Sequence, residues 1–225
     1  MMKVMILAAG RGERMRPLTD HTPKPLLQVA GKAIIEHTLL QLVNAGFTEI
    51  VINHAYLGQQ IEEHLGQGDR YGAHICYSPE GELGLETAGG IIHALPLLGN
   101  EPFLVVNGDI ATDFPFAVLH HQPVNLAHLV LVDNPEHHTA GDFGLDAKGQ
   151  LTLTSGETFT FSGIGVYHPD LFKNRPLGPC KLGEVIREGI RQQRVSGQKL
   201  KGFWMDIGTP ERLNQLHEYY TQQSI

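Results

Sequence analysis

Apolar positions along the chain follow two rhythms that alternate. Residues 3–8 are a nearly continuous apolar run closed by glycine, which predicts a strand covered on both faces. Over residues 34–44, Ile34, Ile35, Leu39, Leu42 and Val43 recur at helical spacing, and Gly46 supplies the stop. Residues 49–53 predict a second strand, 57–65 a second helix and 73–77 a third strand. After a glycine-rich loop, 87–98 reads as helix and 103–106 as a fourth buried strand. Strands alternating with helices in this way predict an α/β, Rossmann-like three-layer sandwich with a predominantly parallel mixed sheet.

The second half is less regular. Residues 127–132, 151–154 and 158–167 are extended in character, further strands of the same sheet together with a ligand-facing lobe. Residues 182–194 and 210–220 are the closing helices. No linker, repeat or low-complexity segment divides the chain, so one domain over 1–225 is expected.

Composition narrows the function classes. The chain has 225 residues, 41% of them apolar and 18% charged, with 24 acids against 17 bases and a net charge of −7. A reader of nucleic acid or of anionic membranes needs a cationic excess, so both are excluded; a small phosphorylated ligand needs only a few cations in one place. No run approaches the ~18 apolar residues of a membrane helix, and the apolar N-terminal stretch is too short for a signal-peptide core. A cytoplasmic setting is expected. Cys76 and Cys180 form neither a disulfide framework nor a metal-type spacing and read as buried or idle thiols.

The first chemical signal is Leu7-Ala8-Ala9-Gly10-Arg11-Gly12-Glu13-Arg14-Met15-Arg16-Pro17. A strand running into Gly-x-Gly brings backbone N–H groups up to a phosphate. Met15 replaces the third glycine of the dinucleotide fingerprint, and no Gly-Lys-Ser/Thr follows. The distinguishing feature is cation density: Arg11, Arg14, Arg16 and then Lys24, stiffened between Pro23 and Pro25. The second signal is Asn107-Gly108-Asp109, a carboxylate at the carboxyl end of a buried strand. The third is Asp206, just ahead of Gly208-Thr209-Pro210, a normal helix start. Two carboxylates from separate strand ends could together hold Mg²⁺, which takes oxygen ligands and bridges to phosphates.

These motifs resemble those of the sugar-phosphate nucleotidyltransferases, from the glycine loop through Pro23-Lys24-Pro25-Leu26, Gly31 and Ala45-Gly46 to Asn107-Gly108-Asp109 and Trp204-x-Asp206-x-Gly208-Thr209. The resemblance spans nearly the whole chain and implies the nucleotide-diphospho-sugar transferase fold. It implies in-line attack of a sugar 1-phosphate oxygen on the α-phosphorus of a nucleoside triphosphate, with pyrophosphate leaving. Gly10, Gly12 and Glu13 would shape the phosphate loop; Arg14 and Lys24 would be the catalytic cations on the phosphates; Asp109 and Asp206 would bind Mg²⁺. Glu86 and Thr87 would belong to the loop that contacts the base, with Glu86 standing where the family has glycine. Asn107, Asp142, Gly144 and Glu157 would face the sugar phosphate. Asn53-His54, Asp133-Asn134-Pro135-x-His137-His138 and Gly141-Asp142-Phe143 are most similar to the branch that joins UTP to N-acetylmuramic acid 1-phosphate in peptidoglycan recycling. Such a chain would act as a monomer or small homo-oligomer.

Two departures stand out: Glu86, and the absence between Gly141 and Gly163 of the Glu-Lys-Pro whose lysine grips the sugar phosphate in several relatives. His120-His121 and His137-His138 lack a His-x₃-His or carboxylate pattern and read as surface residues rather than a transition-metal site. Two other functions compete with the uridylyltransferase. One is a sibling acting on glucose, mannose or heptose 1-phosphate with another triphosphate. The other is a silent nucleotide-sugar sensor, disfavoured because Arg14, Lys24, Asp109 and Asp206 are all present.

Overall fold

The computed structural model describes residues 2–81, 84–153 and 156–223. In chain order the strands are β1 (Val4–Leu7), β2 (Gln28–Val29), β3 (Lys32–Ala33), β4 (Glu49–His54), β5 (His74–Pro79), β6 (Phe103–Asn107), β7 (Ile110–Thr112), β8 (Ala127–Val132), β9 (Phe143–Leu145), β10 (Leu151–Thr152), β11 (Thr158–Tyr167), β12 (Val195–Lys199) and β13 (Trp204–Asp206). The α-helices are α1 (Ile34–Asn44), α2 (Gly58–Leu65), α3 (Glu86–Leu98), α4 (Leu182–Arg191) and α5 (Pro210–Gln223).

Among the described residues, nine strands form one sheet. Its N-terminal part is parallel, with β1 between β4 and β6, and β5 outside β4. Then β11 runs antiparallel to β6, β8 antiparallel to β11, and β12 parallel to β8. Period-two alternation divides the core between the two faces. Val4, Ile6, Ile50, Ile52, Leu104 and Val106 pack with Ile35, Leu39 and Leu42 of α1 and with Ile61 of α2. Met5, Val51 and Val105 point the other way, toward Ile91 and Ala94 of α3 and Val185 and Ile190 of α4. This is the expected three-layer sandwich. Each fully buried aliphatic side chain contributes roughly 1.5–3 kcal/mol to it.

A third apolar cluster sits beside the sheet and joins the loop after β1 to α5. Met15, Leu27, Val29 and Ile34 meet Ala111, Ile207, Leu213 and Leu216 there. Met15 is fully buried, so the glycine loop is pinned at the middle of its cationic run.

Several elements differ from the sequence-based expectation. The helix predicted over 182–194 ends at Arg191, because Gln193 turns left-handed (φ +55°) and the chain re-enters as edge strand β12. The Val195-Ser196-Gly197-Gln198-Lys199 segment is too polar to signal a strand; its partner, β8, lies more than sixty residues away. The strand predicted over 151–154 is observed at Leu151–Thr152, and Thr154 lies outside the described residues. The short strands β7 and β13, which pair antiparallel with each other, have no periodic signal of their own. Cys76 and Cys180 are free thiols of intermediate exposure, not buried ones.

Candidate active site

The carboxyl ends of the parallel strands converge on a cavity of about 650 Å³. Its wall runs from Leu7 to Met15, then includes Lys24, Asn53, Tyr56, Glu80, Leu85 to Thr87, Asn107 to Asp109, Pro179 and Gly208. This edge is where open α/β sheets take ligands, because several loops meet there around exposed strand ends.

The loop after β1 is shaped at Gly12. Its φ is +71°, and a Cβ there would lie 3.0 Å from Thr19 Cγ2 and 3.1 Å from Lys24 Cβ. Thr19, buried, donates from Oγ1 to the Gly12 carbonyl at 2.8 Å and locks that turn. Gly10 meets nothing within 4 Å at its would-be Cβ, so its smallness leaves open space on the cavity wall.

The four cations of this stretch have different tasks. Arg11 lies over the Tyr56 ring, 3.3 Å from its centroid, and pairs with Glu13. Arg16 pairs with Glu13 and Asp20. Glu13 therefore organises two arginines at the rim. Lys24 is buried, and its Nζ donates to Asp109 Oδ2 at 2.5 Å. Arg14 has no ion pair among the described residues, and its guanidinium reaches the cavity wall beside Gly208.

Asp109 is placed by a tight crossing. Gly108 donates its N–H to the Leu7 carbonyl at 2.8 Å, and a Cβ on Gly108 would fall 2.7 Å from that oxygen. Only glycine lets β6 turn over the end of β1 this closely. Asp206 is brought alongside by the β7–β13 pair, in which Ile207 N–H donates to the Asp109 carbonyl at 2.7 Å. The two carboxylates predicted as metal ligands thus sit on neighbouring backbone. Their environments differ: Asp206 Oδ1 accepts from Arg212 Nη1 at 2.6 Å and lies 3.1 Å from His137 Nε2. Among the described residues no group of three or more His, Cys, Asp and Glu gathers to cage a metal. Asp109 lines this cavity and Asp206 the adjoining one; two carboxylates on adjacent backbone suit Mg²⁺, which takes oxygen ligands and completes its shell with water and substrate phosphates.

Thr87 and Glu86 open α3 on the opposite wall. Glu86 has φ +59°, a left-handed conformation natural to glycine and adopted here with a side chain present. The carbonyl of Cys180 caps this helix by accepting from Ala88 N–H at 2.9 Å and Gly89 N–H at 3.2 Å. Asn53 links the two sides: its Oδ1 accepts from Ala8 N–H at 2.9 Å, and its Nδ2 donates to Glu80 Oε1 at 2.5 Å. Glu80 Oε2 accepts from Leu85 N–H. Asn53, Tyr56 and Glu80 are wall residues whose roles the linear motif does not reveal.

Asn107 lines the cavity and packs over Gly163, where a Cβ would fall 2.6 Å from its Nδ2. Gly163 (φ +82°) lies in the register shift between Phe161 and Ile164 of β11, and the neighbouring Ser162 carbonyl accepts from Trp204 Nε1 at 2.8 Å. The other residues expected to face the sugar phosphate lie elsewhere. Asp142 Oδ2 accepts from Phe161 N–H, and Asp142 Oδ1 lies 3.2 Å from His138 Nε2. Gly144 is paired within β9. Neither they nor Glu157 line this cavity.

A second cavity of about 590 Å³ adjoins at β13. Its wall includes Asn134, His137, Lys199, Trp204, Asp206 and Arg212. Gly208 faces the first cavity and Asp206 the second, so the end of β13 separates them.

Residues 3–223 match the family model described as Nucleotidyl transferase. The chain is 56% identical over 222 residues to N-acetylmuramate alpha-1-phosphate uridylyltransferase of Neisseria meningitidis serogroup B, an alignment covering 95% of this chain and 96% of that protein. It is 36% identical over 223 residues to the protein of the same name from Caulobacter vibrioides, with 92% of each chain covered. A mannose-1-phosphate guanylyltransferase catalytic subunit beta of Drosophila pseudoobscura is 32% identical over 93% of this chain and 60% of its own length. Among solved structures, the inositol-1-phosphate CTP transferase of T. maritima superposes with a TM-score of 0.79 at 16% identity, over 99% of this chain and 96% of that one. HddC from Yersinia pseudotuberculosis, complexed with GMP-PN, gives 0.80 at 20% identity, over 98% of this chain and all of that one. At such identities these structures establish the fold.

Proposed function

Because the chain belongs to the nucleotidyl transferase family, we propose that it transfers a uridylyl group from UTP to N-acetylmuramic acid α-1-phosphate. The products are UDP-N-acetylmuramic acid and pyrophosphate. The substrate pair rests on the 56% and 36% identical relatives of that name. The reaction class rests on one arrangement: the buried Lys24 bonded to Asp109, with the unpaired Arg14 beside them on one cavity wall.

In this reading a sugar 1-phosphate oxygen forms a bond to the α-phosphorus, and the bond from that phosphorus to the bridging oxygen of the β-phosphate breaks. Pyrophosphate carries away the electron pair. No covalent enzyme intermediate is needed, so the residues position groups and neutralise charge. Backbone N–H groups around Gly10 and Gly12 cradle the triphosphate, and Arg14 offers it a guanidinium that is not already committed to a carboxylate. Lys24, held by Asp109, places one positive charge at the reacting centre in a largely water-excluded position. Glu86 and Thr87 face the nucleotide from the opposite wall, and Asn107 faces the sugar phosphate. Asp109 and Asp206 would hold Mg²⁺, which when bound supplies Lewis-acid neutralisation and templating of phosphate oxygens.

The chain works as one domain, 1–225, in the cytoplasm, as a monomer or small homo-oligomer serving peptidoglycan recycling. Among the described residues no helix is long and apolar enough to cross a membrane. The test is a substrate panel: purified protein, Mg²⁺, four nucleoside triphosphates and several sugar 1-phosphates, with pyrophosphate release as readout. Preference for UTP with N-acetylmuramic acid 1-phosphate is expected. Equal turnover of N-acetylglucosamine or mannose 1-phosphate would leave the reaction class standing and remove the substrate assignment.

A further inference from the structure

The first turn of α5 carries a cation where the helix dipole disfavours one. Arg212 is the third residue of that helix, and its backbone N–H is capped by Thr209 Oγ1. A positive charge there works against the positive end of the dipole. The guanidinium is nonetheless held in place, with side-chain exposure of only 14%. Nη1 is committed: it donates to Asp206 Oδ1 at 2.6 Å and lies 2.8 Å from His137 Nε2. Nη2 has no hydrogen-bond partner among the described residues.

That free Nη2 has a defined position. It lies 2.4 Å from the point where a Cβ on Gly208 would stand, with Arg14 Nη2 3.2 Å and Asp206 Oδ2 3.1 Å from the same point. Two guanidinium groups and one carboxylate therefore surround a spot kept vacant by a glycine, leaving one net positive charge there. The spot lies at the end of β13, between the 650 Å³ cavity assigned to the nucleotide and the 590 Å³ cavity that Arg212 and His137 line. A reaction that joins two phosphates needs cations on both. Arg14 and Lys24 lie on the nucleotide side. Of the cations lining the second cavity, Lys199 pairs with Asp133, Lys201 is exposed, and Arg212 is the one placed beside Gly208 at the boundary.

We propose that Arg212 receives the 1-phosphate of the incoming sugar through its free Nη2, with the sugar ring occupying the second cavity. The pairing of Nη1 with Asp206 fixes the planar fork, so the remaining donors are pre-aimed at phosphate oxygens. This assignment rests on the nucleotidyl-transfer reading above and deepens it by naming a residue for the acceptor substrate.

The experiment compares wild type with Arg212→Gln and Arg212→Lys. It measures KM for the sugar 1-phosphate, calorimetric binding of UTP alone, and the Mg²⁺ concentration for half-maximal rate. Loss of a charge-assisted hydrogen bond predicts that Arg212→Gln raises KM for the sugar 1-phosphate about ten- to a hundredfold. UTP binding should stay within about twofold, and Arg212→Lys should recover part of the loss. Unphosphorylated N-acetylmuramic acid, used as a competitor, should inhibit wild type and Arg212→Gln equally. A raised Mg²⁺ requirement with an unchanged sugar-phosphate KM would reduce Arg212 to a positioning residue for Asp206. Weakened inhibition by the unphosphorylated sugar would reassign Arg212 to the lactyl carboxylate. Either result overturns the proposal.

If Arg212→Gln fails to fold, Arg212→Met, which keeps an unbranched stem on α5 and removes the charge, provides the second variant and should give the same selective rise. Should wild type reject N-acetylmuramic acid 1-phosphate, the substrate assignment falls. The KM comparison is then run with whichever sugar 1-phosphate the panel selects, and an unchanged value there sinks the role of Arg212 on its own account.

Discussion

Lys24 and Asp109 are 85 residues apart in sequence, and their side chains meet at 2.5 Å, Nζ donating to Oδ2. The lysine is buried and the aspartate side chain is 40% exposed, so the pair lies across the cavity wall with its carboxylate toward solvent. It fixes the proline-stiffened turn after the glycine loop to the end of β6. One consequence is that the lysine charge is aimed before any substrate arrives.

Lys24→Ala and Arg14→Ala should each lower kcat by about 10²–10³-fold, the usual effect of losing one preorganised charge-stabilising donor. Arg14→Ala should leave thermal stability unchanged, because its guanidinium is in no ion pair among the described residues. Lys24→Ala should cost some stability as well, since it strands Asp109. Steady-state kinetics and thermal melts on the same preparations separate the two effects, and an unchanged rate for Lys24→Ala would return it to a purely structural role.

Asparagine at Asp109 or Asp206 keeps shape and removes charge. Each single variant should lose most activity, and EDTA should do the same to wild type. The double variant should lose much less than the product of the singles, because one ion is removed twice. Near-normal Mg²⁺-dependent turnover in either single variant would take that residue out of the metal site.

Glu86 holds a left-handed φ that ordinary side chains adopt at a cost of about 1 kcal/mol or more. Glu86→Gly relieves that strain but loses a favourable acid in the first turn of α3. Net stability in urea should therefore stay within about 1 kcal/mol of wild type. Glu86→Val, branched at Cβ, should be clearly destabilising. If the two variants melt alike, the strain argument fails.

His128 is buried on β8 between Ser196 Oγ at 2.8 Å and Gln198 Oε1 at 3.3 Å. Burial disfavours its charged form and lowers its pKa from 6.5. As pH falls below that value, the unfolded chain takes up a proton that the folded chain refuses, so stability declines with acidification. His128→Gln should flatten this decline between about pH 7.5 and about pH 5.5. Denaturant midpoints across that range provide the check; identical slopes in variant and wild type would show that His128 does not contribute.

Much of the parallel half was legible because its elements obey local rules. Buried strands such as β1 and β6 are continuous apolar runs, and α1 has a helical stripe ending at Gly46, whose φ is +90°. β12 and β13 were not legible. Each is short and partly polar, and each forms only because a distant strand offers backbone partners. His137 is a surface residue, as its sequence context suggests, and its contacts with Asp206 and Arg212 on a cavity wall were not legible from it.

The sequence by itself determined the order of strands and helices in the parallel half, the glycine loop with its cations, and the two aspartates at strand ends. Those features depend on neighbours within a few residues, through periodicity, φ preference and turn chemistry. Only the tertiary structure decided which cations are free. Glu13 and Tyr56 occupy Arg11 and Arg16 at the rim, Asp109 takes Lys24, and Arg14 remains open. Arg212 had no motif to announce it. It becomes part of the site because α5 starts where β13 ends and because His137, 75 residues away in sequence, closes on the same carboxylate. Charge pairing over such separations is set by packing and backbone register, which no local pattern encodes.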